Sequence, residues 1–330
     1  MKLTRRLLAL PLAALLAAGP ALAQEAPWPS RPIELNIGFP NSSGVGIYAR
    51  KLADPLSQAL GAPIVVNARV GAGGNIASDF VAKARPDGYT LLFGTAGTHA
   101  INQTLYRRLP FNVLRDFTPV AHLGDVPNVL ITSVEHRPQY RTCMDVINDA
   151  KARPGALNYA STGNGASTHL AAALFATRAG LDVVHIPFPG QAGAITSLLG
   201  GQTDFFFNQS GPSVPLIQQG AVRGLAVNTP QRIPALPDVP TVTEACGLPN
   251  FESTTWYGIF GPSGLPEAIT RRLNEEIVKI ISAPDFQRWL IDTQGIQPPT
   301  VHTPAEFRAV QERDVERWGK VVRDANATVD

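Results

Sequence analysis

The chain has 330 residues, of which 44% are hydrophobic and 16% charged, and its formal net charge is +2. This length and apolar content are sufficient for two domains with large cores. The nearly balanced charge, with no basic stripe and no interleaved basic and aromatic residues, excludes the usual pattern of a nucleic-acid-binding protein.

The N-terminus has the pattern of a bacterial export signal. Lys2, Arg5 and Arg6 precede an apolar stretch from Leu7 to Ala18, and Ala21-Leu-Ala23 matches the small-x-small cleavage pattern. The apolar stretch is shorter than the ~20 residues that span a bilayer, and no later run is longer. We therefore predict a cleaved signal peptide over residues 1–23 and a protein located in the periplasm.

Export changes both the charge and the expected chemistry of the cysteines. The predicted mature chain begins at Gln24, and loss of the three cations of the leader changes the net charge from +2 to −1. In an oxidising compartment Cys143 and Cys246 are permitted to form a disulfide, although their spacing leaves open whether they meet. Neither cysteine has a second Cys or His at ligand spacing, so the sequence predicts no metal site and no cofactor.

The first part of the mature chain predicts a mostly parallel sheet covered by helices. Apolar residues alternate from Ile33 to Phe39 as in a strand, and a leucine-rich helix face then continues to Gly61, a candidate C-cap. A short buried strand over 63–66, a helix with Ile76, Phe80 and Ala84 on one side, and a strand over 89–93 complete a β-α-β-α-β order. Sheets of this kind bind ligands at the carboxyl ends of their strands.

A second set of strands and helices begins near Asn128, and the last third of the chain is mainly helical. The predicted strands cover 129–132, 157–160, 183–186, 204–207 and 222–227, and the predicted helices cover 143–151, 169–179 and 195–199. Residues 266–281 keep a helical period. Thr303-Pro-Ala-Glu306 is a capping box that begins the last helix.

Four times an apolar run ends in a small, hydroxyl- and glycine-rich loop that opens a helix. The four loops are Phe39–Gly44, Gly94–His99, Ser161–Thr168 and Phe188–Gln191. None of them contains an Arg, Lys, Asp or Glu. Helix N-termini expose backbone N–H groups, and the helix dipole there favours negative charge. The pattern predicts a site that holds a small anion and has few groups able to react with it.

The search for catalytic or metal-binding groups gives no enzyme signature. None of the six histidines has another His, Cys or acid at ligand spacing, and no G-x-S-x-G motif accompanies His169 with its neighbours Ser167 and Thr168. Gly71-Ala-Gly-Gly74 lacks the Gly-Lys-Ser/Thr of a phosphate-binding loop. Trp256-Tyr257 is interpreted as core. The sequence therefore predicts a protein that is not an enzyme.

Several motifs, in order and spacing, resemble the Bug family of periplasmic solute-binding components of tripartite tricarboxylate transporters. The resemblance covers essentially the whole mature chain. The matching stretches are Phe39-Pro40, Gly71-Ala-Gly-Gly-Asn75, Pro86-Asp-Gly-Tyr-Thr90, Gly94-Thr-x-Gly-Thr-His-Ala-Ile-Asn102, Leu157-Asn-Tyr-Ala-Ser161, Gly163-Asn-Gly165, Leu198-Leu-Gly-Gly-Gln202 and Leu236-Pro-Asp-Val-Pro-Thr241.

The resemblance implies an α/β, two-lobed fold of the periplasmic-binding-protein kind, similar to type II, in which each lobe is a mostly parallel sheet flanked by helices. Domain 1 would comprise 24–127 and 248–330, domain 2 would comprise 128–247, and a hinge would join them. Such a protein closes on one small carboxylic acid and delivers it to membrane permease subunits. We expect a monomer with no nucleic-acid partner.

The resemblance and the four loops together give a set of expected ligand-binding residues. Family members hold carboxylates through backbone N–H groups, hydroxyls and waters, usually without a salt bridge. The expected residues are Phe39, Pro40, Asn41, Ser42, Ser43, Gly44, Thr95, Ala96, Thr98, His99, Ser161, Thr162, Asn164, Ser167, Thr168, His169, Pro189, Gly190 and Asn208.

Two departures from the family pattern concern charge. After Phe39-Pro40 the family usually has a glycine-rich loop followed by an acid, but this chain has Asn41-Ser-Ser-Gly44 and then Gly46. An acid is also common where Asn208 stands. Removal of a negative charge beside a bound carboxylate favours its binding, so we hypothesise a neutral pocket that holds amines poorly. After the second predicted strand this chain has Ala68-Arg-Val70 where family members have Asn-Arg-Pro. The resemblance therefore does not extend to the geometry of the loop after that strand.

Two other functions remain open from the sequence. A sensory adaptor would bind the same solute but present the closed form to a membrane sensor kinase, and no residue separates it from a transport component. A periplasmic hydrolase would need an activated nucleophile or paired acids in the cleft.

Overall fold

The structure is a computed structural model that describes residues 28–324 and 327–329. The predicted signal peptide, its cleavage site and Gln24 lie outside the described residues. The strands are β1 Ile33–Ile37, β2 Ile64–Ala68, β3 Thr90–Thr95, β4 Phe117–Val126, β5 Asn128–Ser133, β6 Asn158–Ser161, β7 Val184–Pro187, β8 Phe205–Gln209, β9 Val222–Val227 and β10 Thr255–Pro262. The helices are α1 Gly44–Leu60, α2 Asn75–Ala82, α3 Asn102–Leu105, α4 Cys143–Ala152, α5 Ser167–Ala179, α6 Gln191–Leu199, α7 Ser210–Gln218, α8 Val242–Cys246, α9 Glu267–Ile281, α10 Pro284–Arg288 and α11 Pro304–Asp324.

The strands form two five-stranded sheets with the same pattern of directions. Sheet 1 has the order β2-β1-β3-β10-β4, and sheet 2 has the order β7-β6-β8-β5-β9. In each sheet the first three strands are parallel, and one strand, β10 or β5, runs against both of its neighbours. Four strands in five therefore share a direction, and the predicted mostly parallel α/β fold is confirmed.

The chain crosses between the sheets at two places. It leaves sheet 1 at Pro127, between β4 and β5, and it returns at Ser253–Thr254, just before β10. Sheet 1 and its packed helices are called lobe 1, and sheet 2 and its packed helices are called lobe 2. Both crossings are fixed by Asn228, whose Oδ1 accepts from Asn128 N at 2.7 Å and whose Nδ2 donates to Ser253 Oγ at 2.9 Å.

The central strands of each sheet are buried, as expected for a sheet covered by helices on both faces. The segment after the predicted domain boundary at 248 still belongs to lobe 2, because Phe251 is 1% exposed and packs with Phe175 and Phe207. We therefore place the proposed return to lobe 1 at Ser253–Thr254. Because the first crossing lies at Pro127, we keep 127 as the other proposed boundary.

The strand predicted as buried over 63–66 is not buried. Strand β2 is an edge strand, and each of its five residues keeps some exposure. Helix α2 buries Ala77 and Val81, whereas Ile76 is 52% exposed and Phe80 is 40% exposed. The helix begins beside the backbone of Gly38, which approaches Gly74 too closely for a side chain on Gly38. The side of α2 that carries Ile76 and Phe80 faces away from the core.

The caps and the cysteines follow simple local rules. Helix α1 continues through Pro55 and ends at Gly61, whose φ of 70° lies in the left-handed region. Glu306 accepts from the N–H of Thr303 and the Thr303 hydroxyl caps the N–H of Glu306, which is the predicted capping box. Cys143 of α4 and Cys246 of α8 form a disulfide with Cα atoms 5.4 Å apart.

Candidate functional site

A pocket of about 240 Å³ lies in the cleft between the two lobes. Lobe 1 contributes residues at the start of α1, at the end of β4, in β10 and after α10, and lobe 2 contributes the starts of α6 and α7 and the end of β8. The lining residues are Ser42, Gly44, Ile47, Val126, Tyr257, Thr293, Gln294 and Ile296 from lobe 1, and Gln191, Gln209, Gly211 and Pro212 from lobe 2. The volume is just below the ~300–1,000 Å³ typical of drug-sized ligands, so the pocket suits a small solute.

The start of α1 supplies unpaired backbone donors from lobe 1. Ser43 is the N-cap; its Oγ accepts from Gly46 N at 3.2 Å and donates to Pro40 O at 2.6 Å. Among the described residues no group accepts from the N–H of Gly44 or Val45. Because the proton of the Ser43 hydroxyl is already donated, a ligand at this helix end meets backbone N–H groups.

The start of α6 supplies the corresponding donors from lobe 2. Its N-cap, Gly190, has a φ of 101°, which strongly favours glycine, and it offers no capping side chain. Within the described chain, the N–H groups of Gln191, Ala192 and Gly193 have no protein acceptor. The positive ends of two helices, one in each lobe, therefore border the same cleft.

The pocket wall carries no formal charge. None of the twelve lining residues is Asp, Glu, Lys, Arg or His. Tyr257 is the one lining residue with a titratable group, and burial raises the pKa of its hydroxyl to about 12. It is therefore neutral at ordinary pH, and the wall offers amide, hydroxyl and backbone groups together with apolar surface.

The structure places the second predicted loop inside lobe 1. Thr95, Ala96, Thr98 and His99 are buried and do not line the pocket. The Thr98 hydroxyl donates to Thr95 O at 3.1 Å, and the His99 ring stacks on Phe260 with 4.1 Å between centroids. Burial lowers the pKa of His99 to about 3, so this imidazole is a neutral core group.

The third predicted loop touches lobe 1 outside the pocket. A Cβ on Gly165, whose φ is 72°, would lie 1.8 Å from the Leu105 side chain, so the two lobes meet closely there. The Thr168 hydroxyl accepts from Thr162 N at 3.0 Å. His169 stacks on His185 with 3.9 Å between centroids. This loop supplies Ser161, Thr162, Asn164, Ser167, Thr168 and His169, none of which lines the pocket.

The first and fourth loops reach the pocket only in part. From the first, Ser42 and Gly44 line it, while Pro40 and Asn41 are exposed and Phe39 packs against the core of lobe 1. In the fourth, Pro189 and Gly190 precede the lining residue Gln191. Asn208 is fully buried behind the wall and accepts from Gln191 Nε2 at 2.7 Å.

Several lining residues were not among those expected from the sequence. Val126 and Gln209 end strands, so the rule that ligands bind at strand ends could have indicated Gln209. No local signal marks the others, because a turn near the C-terminus and the starts of distant helices come together only in the fold. The missed residues are Ile47, Val126, Gln191, Gln209, Gly211, Pro212, Tyr257, Thr293, Gln294 and Ile296.

One pair in lobe 2 has the spacing of a nucleophile and a base. Ser161 Oγ lies 2.6 Å from His185 Nε2. In the described part of the chain no carboxylate contacts His185. The described residues also include no group of three or more His, Cys, Asp or Glu that could hold a metal ion. None of the described helices has the length and hydropathy of a membrane span. Neither Ser161 nor His185 lines the pocket.

The comparisons with known proteins all agree on one family. Residues 48–327 match the family described as "Tripartite tricarboxylate transporter family receptor". The protein BugT of Bordetella pertussis is 33% identical over 303 residues, which are 91% of each chain. Two solved structures are similar over most of their length: R. palustris Rpa4515 with adipate, and MatC from Rhodopseudomonas palustris with bound malate.

The two structural likenesses extend to the whole fold. Rpa4515 is 32% identical with a TM-score of 0.84, over 92% of this chain and 100% of that chain. MatC is 30% identical with a TM-score of 0.80, over 89% and 100% of the two chains. Together with the family match over residues 48–327, they show that this chain belongs to the Bug family, the periplasmic solute-binding receptors of tripartite tricarboxylate transporters.

Proposed function

We propose that this protein captures a small carboxylate between its two lobes in the periplasm and delivers it to the membrane subunits of a tripartite transporter. The observation that carries the proposal is an uncharged interlobe pocket bordered by unpaired N–H groups of α1 and α6. The similar proteins Rpa4515 and MatC were solved with adipate and malate, both carboxylates. The expected monomer, the cleaved leader and the domain boundaries at 127 and 253–254 belong to the same proposal.

The affinity can be reached without a salt bridge if both lobes contribute. Each helix N-terminus favours an anion by ~0.3–1 kcal/mol, and each net hydrogen bond adds ~1 kcal/mol. Micromolar binding requires about 8 kcal/mol. Six to eight such contacts supply it, and the pocket wall takes its polar groups from both lobes, so we expect the affinity to depend on both.

The direct test is calorimetric titration of the mature protein with mono-, di- and tricarboxylates, after a thermal-shift screen. We expect at least one carboxylate to bind with micromolar affinity and to raise the Tm. Neutral sugars of similar size serve as the control, and we expect them neither to bind nor to change the Tm. A protein that binds a sugar but no carboxylate would contradict the proposal.

The position of the site is tested by filling it. A Cβ on Gly44 would lie 3.4 Å from Tyr257 Oη and 3.7 Å from Gln209 Oε1, so Gly44→Leu projects into the cleft. We expect binding to fall at least tenfold. Gln58→Leu places the same side chain on an exposed position of the same helix and should bind normally.

A further inference from the structure

A directional chain of hydrogen bonds lies directly behind the pocket wall in lobe 2. Gln191 Nε2 donates to Asn208 Oδ1 at 2.7 Å, and Asn208 Nδ2 donates to Ser213 Oγ at 2.9 Å. Ser213 Oγ in turn donates to the backbone oxygen of Gln209 at 2.8 Å. Gln191 and Gln209 line the pocket, so both ends of the chain are part of its wall.

The last acceptor fixes the orientation of every member. A backbone carbonyl can only accept, so the Ser213 hydroxyl must donate to Gln209 O. The Ser213 oxygen then accepts from Asn208 Nδ2, which leaves Asn208 Oδ1 as the acceptor for the Gln191 amide. An uncharged amide at position 208 satisfies both partners, and Asn208 is 0% exposed.

None of the lining residues that the structure describes is an acid. The acids next in sequence to lining residues are Asp125 and Asp292. Asp125 faces His122, with 3.4 Å between Oδ1 and Nε2, on the face of β4 opposite to Val126. Asp292 is exposed to solvent. An ammonium group in the pocket would therefore lose its hydration and gain no anionic partner, which is strongly unfavourable.

We infer that this pocket selects carboxylates that carry no ammonium group, and that Asn208 is the residue that determines this specificity by keeping the wall neutral. The inference rests on the proposed function, because it concerns which carboxylates the same cleft accepts. Asn208 is a positioning residue. Its side chain holds the Gln191 amide at the pocket wall, and because it is uncharged it places no negative charge behind that wall.

The test compares matched pairs of solutes that differ only in an amino group, adipate with 2-aminoadipate and succinate with aspartate. For whichever pair binds, the wild type is expected to prefer the plain acid at least tenfold. Asn208→Asp keeps the size and the acceptor for Gln191 and, measured at a pH above the raised pKa of its buried carboxyl, adds one negative charge behind the wall. It should weaken binding of the plain acid about tenfold or more and reduce or invert the preference.

Three further variants separate charge from damage to the fold. Gln191→Glu places the charge on the wall itself, at the first position of α6 where an acid is favourable, and should change the preference in the same direction. Asn208→Leu breaks the chain without adding charge, so the preference should remain although both affinities fall. Asn112→Asp adds the same charge in lobe 1, where Asn112 Oδ1 already accepts from two backbone N–H groups, and should change neither affinity.

The outcomes distinguish this inference from the function on which it rests. Equal affinity of the wild type for the two members of a pair overturns the selectivity but leaves carboxylate capture intact. An unchanged preference in both Asn208→Asp and Gln191→Glu overturns the role of Asn208. Absence of binding to every carboxylate overturns the proposed function itself.

Discussion

The side chain of Gln209, at the end of β8, reaches across the cleft to Tyr257 in β10, with 3.4 Å between Nε2 and Oη. The bond joins lobe 2 to lobe 1 at the pocket wall, and both residues line the pocket. The Tyr257 ring, by contrast, is packed in the core of lobe 1 against Tyr48 and Phe93. The hydroxyl and the ring of Tyr257 therefore have separate roles.

This separation predicts different effects for two tyrosines. Tyr257→Phe keeps the packed ring and removes the cleft hydroxyl, so we expect affinity to fall about three- to tenfold, equivalent to ~1 kcal/mol, with little loss of stability. Tyr48 Oη donates to Leu123 O at 2.8 Å inside lobe 1, so Tyr48→Phe should lower stability by ~1 kcal/mol and leave affinity unchanged. Calorimetry and urea unfolding of both variants check the pair; equal effects on affinity would refute it.

The crossings between the lobes depend on Asn228. Asn228→Ala leaves the N–H of Asn128 without its acceptor and also removes the bond to Ser253, so we expect a loss of about 2–3 kcal/mol in unfolding free energy. Ser253→Ala removes one of these bonds and should cost about half as much. Denaturant unfolding measures both, and a larger loss for Ser253→Ala would contradict the assignment of Asn228 as the shared anchor.

The disulfide between Cys143 and Cys246 should stabilise lobe 2 without shaping the pocket. It closes a loop of 103 residues and joins α4 to α8, neither of which contributes a lining residue. Replacing both cysteines by alanine should lower the unfolding free energy by about 2–5 kcal/mol. Ligand affinity of the folded variant should equal that of the wild type. A large loss of affinity measured well below the Tm would show that the bridge acts on the cleft.

The stacked histidines predict a loss of stability in acid. Burial, and for His169 also the neighbouring His185, lowers the pKa of His169 to about 3, and burial lowers that of His185 to about 4. Their unfolded pKa is ~6.5. Because the folded pKa values are lower, the stabilisation is complete above pH ~6.5 and is lost as the pH falls toward these values.

A variant isolates this effect from the titration of carboxylates. Between pH 7 and pH 4.5 the wild type should lose about 1–3 kcal/mol more unfolding free energy than His169→Gln, which cannot titrate. Parallel pH profiles of the wild type and His169→Gln would contradict the pKa assignment.

Secondary structure and family were predictable because they depend on local patterns. The alternation from Ile33, the glycine after α1 and the capping box at Thr303 each identify an element, and the order of elements gives the α/β class. Strands β4 and β10 and helix α7 were not predicted. Strand β10 pairs with β3 and β4, which lie far away in sequence, and its Gly258 and Gly261 weaken any local strand signal.

Taken alone, the sequence determined that uncharged loops open several helices, since residue type and the order of strands and helices are properties of the chain. The tertiary structure decided which of these loops form the cleft. It buried His99 among aromatic rings and used the Thr98 and Thr168 hydroxyls within their own loops. It also brought Tyr257 and the turn at Gln294 to α1 and α7. Contacts of this kind depend on how two sheets are placed relative to each other, and no local pattern encodes that placement.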